Sequence, residues 1–146
     1  MKTAIVYVSS HHGNTKKLLD AIAGSDPDVR LIDALKEKDA DLAGYDRIGL
    51  ASGIAYGKFY PQMLEYMRAK LPEGKPVFFV YTYGLKRSGY CDAAREITDS
   101  KGCTVLGEYG CLGYDTFGPL RLIGGLAKGH PDAGEIAGAV TFYQAL

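Results

Sequence analysis

Apolar residues recur along the chain in short β-type runs, separated by longer segments of helical period. Lys2 to Ser9 is a β-branched and aromatic run that stops at polar, glycine-containing residues, and Thr15 to Ala23 then places Leu18, Leu19, Ile22 and Ala23 on one helical face. Val29 to Ile32 and Ile48 to Ser52 read as further strands. The near-continuous apolarity of Pro76 to Thr82 marks a strand buried on both faces, and Thr104 to Gly110 is a fifth, weaker strand. Tyr60, Met63, Leu64, Met67 and Leu71 fall at helical intervals around Pro61, whose ring suits a first helical turn. Asp92 to Ser100 predicts a helix that ends near Gly102. Pro131 to Ala145, with Ile136, Val140 and Tyr143 on one face, predicts the last.

Strands alternating with helices require parallel pairing through right-handed crossovers, so the expected fold is one α/β domain over residues 1–146, a doubly wound three-layer sandwich. Ligands in such sheets bind at the carboxyl ends of the strands, where the strand order reverses. The strand-to-helix loops are therefore where chemistry is expected. A chain of 146 residues, 47% of them hydrophobic, buries a core without disulfides or metal and is not disordered.

Charge and cysteine content remove further classes. Lys and Arg number 17 against 17 Asp and Glu, with no basic stripe, so nucleic acid is not an expected partner. The apolar stretch Ala4 to Val8 is too short for a signal-peptide core or a membrane span, so a cytoplasmic protein without membrane insertion is expected. Cys91, Cys103 and Cys111 form no Cys-x-x-Cys and read as reduced, buried thiols.

The segment Ser9-Ser10-His11-His12-Gly13-Asn14-Thr15-Lys16 joins the first strand to the first helix, and nearly every residue in it can donate a hydrogen bond. Backbone amides at a helix N-terminus, together with hydroxyl, amide or imidazole donors, replace the water shell of a phosphate. The plainer alternative is a helix cap by Asn14 or Thr15. Neither a P-loop nor a Gly-x-Gly-x-x-Gly fingerprint is present.

This loop resembles that of the flavodoxins, which reads Ser/Thr-x-Thr-Gly-x-Thr and wraps the terminal phosphate of FMN. Ser10, His12, Gly13 and Thr15 are the matching residues, with Asn14 at the variable position. His11 and His12 stand where flavodoxins usually carry hydroxyl residues. An imidazole still donates to phosphate, and FMN affinity then depends on pH near neutrality. The resemblance implies the strand order 2-1-3-4-5, FMN as cofactor, and a phosphate held by Ser10, His11, His12, Gly13, Asn14 and Thr15.

Two later loops are assigned to the flavin ring by the same resemblance. Gly53, Ile54, Ala55, Tyr56, Gly57 and Lys58 follow the third strand, where glycines admit a planar ring and Tyr56 can contact it. This segment is also similar to the Ile-x-Tyr-Gly of menaquinone-dependent protoporphyrinogen oxidases. Thr82, Tyr83, Gly84 and Tyr90 follow the fourth strand, and Tyr83 or Tyr90 could stack on the ring. Flavodoxins carry acidic character here, whereas this chain has Lys86 and Arg87, which would raise the potential of a bound flavin by stabilising its reduced anion. The segment Cys111 to Pro119 could line the same crevice or a partner surface. The turn Gly124 to Pro131 reads as a rigid loop leading into the last helix.

The function these features imply is an FMN-binding electron-transfer protein that shuttles electrons between redox partner proteins, with no catalytic side chain and no metal. The alternative is an FMN-dependent oxidoreductase acting on NAD(P)H, a quinone or a protoporphyrinogen. A phosphoacceptor receiver needs acidic residues after the first strand, and a hydrolase of the Gly-x-Ser-x-Gly type needs that motif. The chain has neither.

Overall fold

The computed structural model describes residues 1–9, 12–115 and 122–146. The elements run β1 (Thr3–Val8), α1 (Asn14–Ser25), β2 (Val29–Asp33), β3 (Arg47–Ala55), β4 (Lys58–Phe59), α2 (Pro61–Lys70), β5 (Pro76–Tyr83), α3 (Asp92–Ser100), β6 (Thr104–Leu112) and α4 (Ala133–Gln144). The long strands lie in the order β2-β1-β3-β5-β6, all parallel, and this is the doubly wound arrangement expected from the sequence. Register is set by pairs such as Thr3 with Val29 and Arg47, Ile48 with Val77, and Pro76 with Thr104.

Successive strand residues face opposite layers, and the side chains divide accordingly. Ala4, Val6 and Val8 of β1, with Val77 and Phe79 of β5, enter the core shared with α2 and α3. Ile5, Phe78 and Val80 enter the core shared with α1 and α4. Gly49 of β3 belongs to the second packing: a Cβ there would lie 2.5 Å from the Phe78 ring, so the ring fills the volume the glycine leaves. Tyr143 of α4 ties this layer together, donating to the Asp26 carboxylate at 2.6 Å while the Arg47 guanidinium lies 4.6 Å from its ring centroid.

Three features depart from the periodicity reading. The connection from β2 to β3, residues 34–46, contains no helix. Asp33 and Asp41 accept from the Leu35 and Ala43 amides two residues on, turns that compete with helix formation, while Ala34 and Leu42 still fill the core. The third strand does not end at Ser52. It continues to Ala55 and folds back through Tyr56 and Gly57 into β4. Both turn residues have positive φ, 53° and 79°, as a two-residue type I′ hairpin demands. Helix α4 begins at Ala133, two residues later than the pattern suggested, because Asp132 and Glu135 close a capping box.

Candidate functional site

The carboxyl ends of β1, β3, β5 and β6 carry four loops that converge on one crevice. Helix α1 opens at Gly13, which is left-handed (φ 65°), and no side chain caps it. The two capping candidates are engaged across the fold. Thr15 Oγ1 bonds Thr82 Oγ1 at 2.9 Å, and Asn14 Nδ2 donates to the Tyr114 carbonyl at 2.7 Å. The loop therefore does not cap its own helix through Asn14 or Thr15. Ser10 and His11 lie outside the described residues. His12 is exposed and itself left-handed (φ 65°), a conformation that costs a non-glycine residue about 1–3 kcal/mol and that gathers at binding sites.

Two buried polar atoms beside this loop have no hydrogen-bond partner among the described residues: Ser9 Oγ and Asn14 Oδ1. A buried, unsatisfied oxygen costs about 1–3 kcal/mol. Ser9 at the end of β1 and Asn14 at the start of α1 flank the segment expected to hold a phosphate. The Ser9 hydroxyl can donate to a phosphate oxygen, whereas Asn14 Oδ1 is an acceptor that needs a donor such as water, its Nδ2 being held by the Tyr114 carbonyl.

The second loop is the β3–β4 hairpin. Tyr56 stands 87% exposed at its tip, on the rim of the crevice. Gly53 lies within β3 opposite Thr82, and a Cβ there would come within 2.3 Å of the Tyr60 hydroxyl. Its missing side chain seats Tyr60, and Gly53 also lines the inner end of the crevice with Asn14, Thr82 and Gly113. Ser52 Oγ accepts from the Tyr60 amide at 3.0 Å and fixes the same corner.

The third loop follows β5. Tyr81, Tyr83 and Tyr90 form an aromatic cluster, with Tyr83 and Tyr90 at 5.5 Å and 31°. Burial raises the hydroxyl pKa of Tyr83 and Tyr90, so both remain neutral donors, and Tyr90 donates to the Leu85 carbonyl. A cleft of about 230 Å³ opens here, lined on one side by Ile54, Tyr56 and Gly57 and on the other by Tyr83, Leu85 and Tyr90. Arg87 also lines this cleft. It is the member of the cationic pair that faces the expected ring position.

Sequence reasoning left the β6–α4 loop open between crevice and partner surface. Its first residues lie in the crevice. Tyr114 stacks on the His12 ring at 4.4 Å and 25°, the Gly113 amide donates to the Tyr83 carbonyl at 2.8 Å, and Asp115 lines the cleft. A Cβ on Gly113 would meet Asn14 at 2.8 Å, and one on Gly84 would meet Asp115 at 2.7 Å, so these two glycines allow the first, third and fourth loops to close on one another. Thr116 to Pro119 fall outside the described residues. Ser9 opens the segment read from the sequence as a phosphate loop, but Gly113, Tyr114 and Asp115 were not assigned to the site. Their signal is tertiary, because nothing local marks which loop Tyr114 will reach.

Farther along this loop, His130 Nδ1 meets Glu135 Oε1 at 2.5 Å, and Glu135 Oε2 accepts from the Leu112 amide at 3.2 Å. The hydrogen bond to Glu135 raises the His130 pKa above its ordinary 6.5. The stabilisation is then complete below that ordinary value and is lost as pH rises through the folded value. Thermal unfolding followed from mildly acidic to mildly alkaline pH is expected to show a falling midpoint, with this component absent in His130→Asn.

Fold and site together define a doubly wound α/β domain whose strand-end loops converge on one crevice. Residues 5–100 match the family model described as a flavodoxin domain, and the chain belongs to that family. It is 35% identical over 149 residues to an uncharacterised protein of Methanocaldococcus jannaschii, covering 100% of this chain and 98% of that one. Among solved structures, it is similar to a flavodoxin from the domain Archaea (TM-score 0.72, 22% identity, 97% of this chain and 92% of that chain). It is also similar to oxidised flavodoxin 2 from Bacillus cereus (TM-score 0.67, 19% identity, 99% and 97%). The Cys91 and Cys111 thiols are buried, and burial raises both pKa values, that of Cys111 to about 12, which favours the protonated thiol. No helix among the described residues is long and apolar enough to cross a membrane.

Proposed function

We propose that this protein carries electrons between redox partner proteins by means of bound FMN. FMN is the cofactor of the family to which the chain belongs. When bound, it supplies the electron chemistry, while the protein supplies binding, ring orientation and the local field. The observation that carries this reading is the buried Ser9 hydroxyl, without a partner among the described residues, beside a helix that no side chain caps. Ser9 to Thr15 hold the phosphate. Gly53 to Lys58 and Thr82 to Tyr90 border the ring, with Tyr56 on one side and Tyr83 or Tyr90 on the other.

No acid–base residue is required of the protein for electron exchange. The neutral phenols of Tyr83 and Tyr90 orient the ring by contact, and the Tyr114 loop excludes water from the inner end of the crevice. Reconstituting the purified chain with FMN, identifying the released chromophore by chromatography and assaying steady-state NAD(P)H and quinone turnover test the proposal. A stoichiometric yellow protein with negligible turnover is expected. Rapid turnover of either substrate would make it an enzyme instead.

Arg87 sets an expectation for the potential. An exposed cation at the cleft stabilises added negative charge on the ring by about 1 kcal/mol after solvent screening, equivalent to about 20 mV for a two-electron couple. Arg87→Ala is expected to lower the two-electron midpoint potential by this amount in a redox titration. An unchanged or raised potential would show that the guanidinium does not act on the ring.

A further inference from the structure

A second cleft lies away from the crevice and shares no lining residue with it. The β2–β3 connection, which contains no helix, runs beside α2, and a space of about 330 Å³ opens between them. Small-molecule sites span about 300–1,000 Å³, so the space is large enough to be one. Ala34, Leu35, Ala69 and Tyr66 give it apolar walls, and Lys38, Gln62, Glu65 and Lys70 complete the lining.

Tyr66 is the polar group that this cleft leaves unanswered. It is 8% exposed, and its hydroxyl is buried with no hydrogen-bond partner among the described residues. Burial raises its pKa, so the group is a neutral O–H donor that bears an uncompensated desolvation cost. The hydroxyl is closed to bulk water, and an acceptor reaches it when the side chains of Leu35 and Lys38, both exposed, change rotamer. Adjustments of that size are common on binding. Charge around the cleft is balanced: residues 30–41 and 61–70 hold five cationic and five anionic side chains, with Arg30 paired to Glu37 and Lys70 to Asp39.

We infer that this cleft binds a small neutral molecule carrying a carbonyl oxygen on an apolar ring, with the Tyr66 hydroxyl donating to that oxygen. Each property answers one feature of the site. The volume sets the size, the Ala34, Leu35 and Ala69 walls favour an apolar body, and the lone donor calls for an acceptor. A charged ligand fits less well, because neither sign of charge dominates the surroundings and an ion held against those walls would lose its hydration without a dedicated partner. Since the two clefts share no residue, occupancy here is independent of FMN in the crevice.

The test titrates the chain, with and without FMN, with 1-tetralone and with tetralin, the same bicyclic skeleton lacking the carbonyl. Binding is followed by amide shifts. Both probes are expected to perturb residues 34–38 and 62–70 and to leave the crevice loops unchanged, whether or not FMN is present. Tyr66→Phe removes the hydroxyl and keeps the ring. It is expected to weaken 1-tetralone binding by about 3- to 10-fold, to leave tetralin binding unchanged and to raise the unfolding midpoint of the free chain. Ala69→Trp, at an exposed position of α2, is expected to fill the cleft and weaken both probes. No perturbation of these residues by 1-tetralone, shifts confined to the crevice loops, or an equal effect of Tyr66→Phe on the two probes would overturn the inference. So would a concentration-dependent dimer whose shifts fall on the same residues, because a second copy would then cover the cleft.

Discussion

Ser9→Ala is expected to make the ligand-free protein more stable and its FMN complex weaker. The Ser9 hydroxyl is buried without a partner among the described residues, so deleting it removes an uncompensated desolvation cost of about 1–3 kcal/mol and raises the unfolding midpoint of the free chain. In the proposed complex the same hydroxyl would donate to a charged phosphate. Losing a hydrogen bond of that kind costs about 1.5–3 kcal/mol, or roughly a 10- to 100-fold rise in dissociation constant. The opposite signs are the diagnostic. A residue with a structural role alone would lose stability and affinity together, and a residue remote from the ligand would leave affinity unchanged. Thermal unfolding of the free chain and fluorescence titration with FMN give the two values.

The largest expected loss of stability comes from the center of the sheet. Phe78 is fully buried against Gly49 and the rings of Phe142 and Tyr143, and Phe78→Ala is expected to cost about 3–5 kcal/mol. Gly49→Ala has the opposite defect. Its Cβ would sit 2.5 Å from the Phe78 ring, an overpacking expected to cost about 1–3 kcal/mol. The two defects occupy the same volume, so the double variant should be less destabilised than the sum of the singles, with the new methyl group lying in the cavity the ring leaves. Denaturant unfolding of the four proteins measures the coupling. Strict additivity would show that Gly49 and Phe78 do not share that space.

The elements that surround this center were legible from periodicity because each has one dominant local signal. The Val77 to Val80 run can only be a doubly buried strand, and the spacing of Met63, Leu64 and Met67 behind Pro61 can only bury one helical face. Two elements were not legible. The hairpin through Tyr56 and Gly57 is two residues long on its return strand, too short for any pattern, although a residue before glycine at positive φ is the kind of turn signal that could have flagged it. The β2–β3 connection lacks the helix that alternation leads one to expect because its aspartates bond their own backbone.

The site divides along the same line. The β1–α1 loop announced itself by its density of donors, and the loops after β3 and β5 by glycine and tyrosine at strand ends. What stayed hidden is how the loops use one another. Gly84 and Gly113 are required by contacts between loops, Thr15 meets Thr82 across 67 residues of sequence, and Tyr114 reaches His12 across about 100. Such pairings follow from the strand order, since β5 and β6 lie beyond β3 on one side of β1, and no local pattern encodes them.

The central claim is that the turn between β1 and α1 is shaped for a phosphate monoester attached to a flavin. Titration of the purified, ligand-free chain with FMN and with riboflavin tests it most directly, because the two ligands share the ring and differ only in the phosphate. The account predicts one-to-one binding of FMN at least about 100-fold tighter than riboflavin, a difference of roughly 2.7 kcal/mol. Equal affinities, or binding of neither ligand, would contradict it.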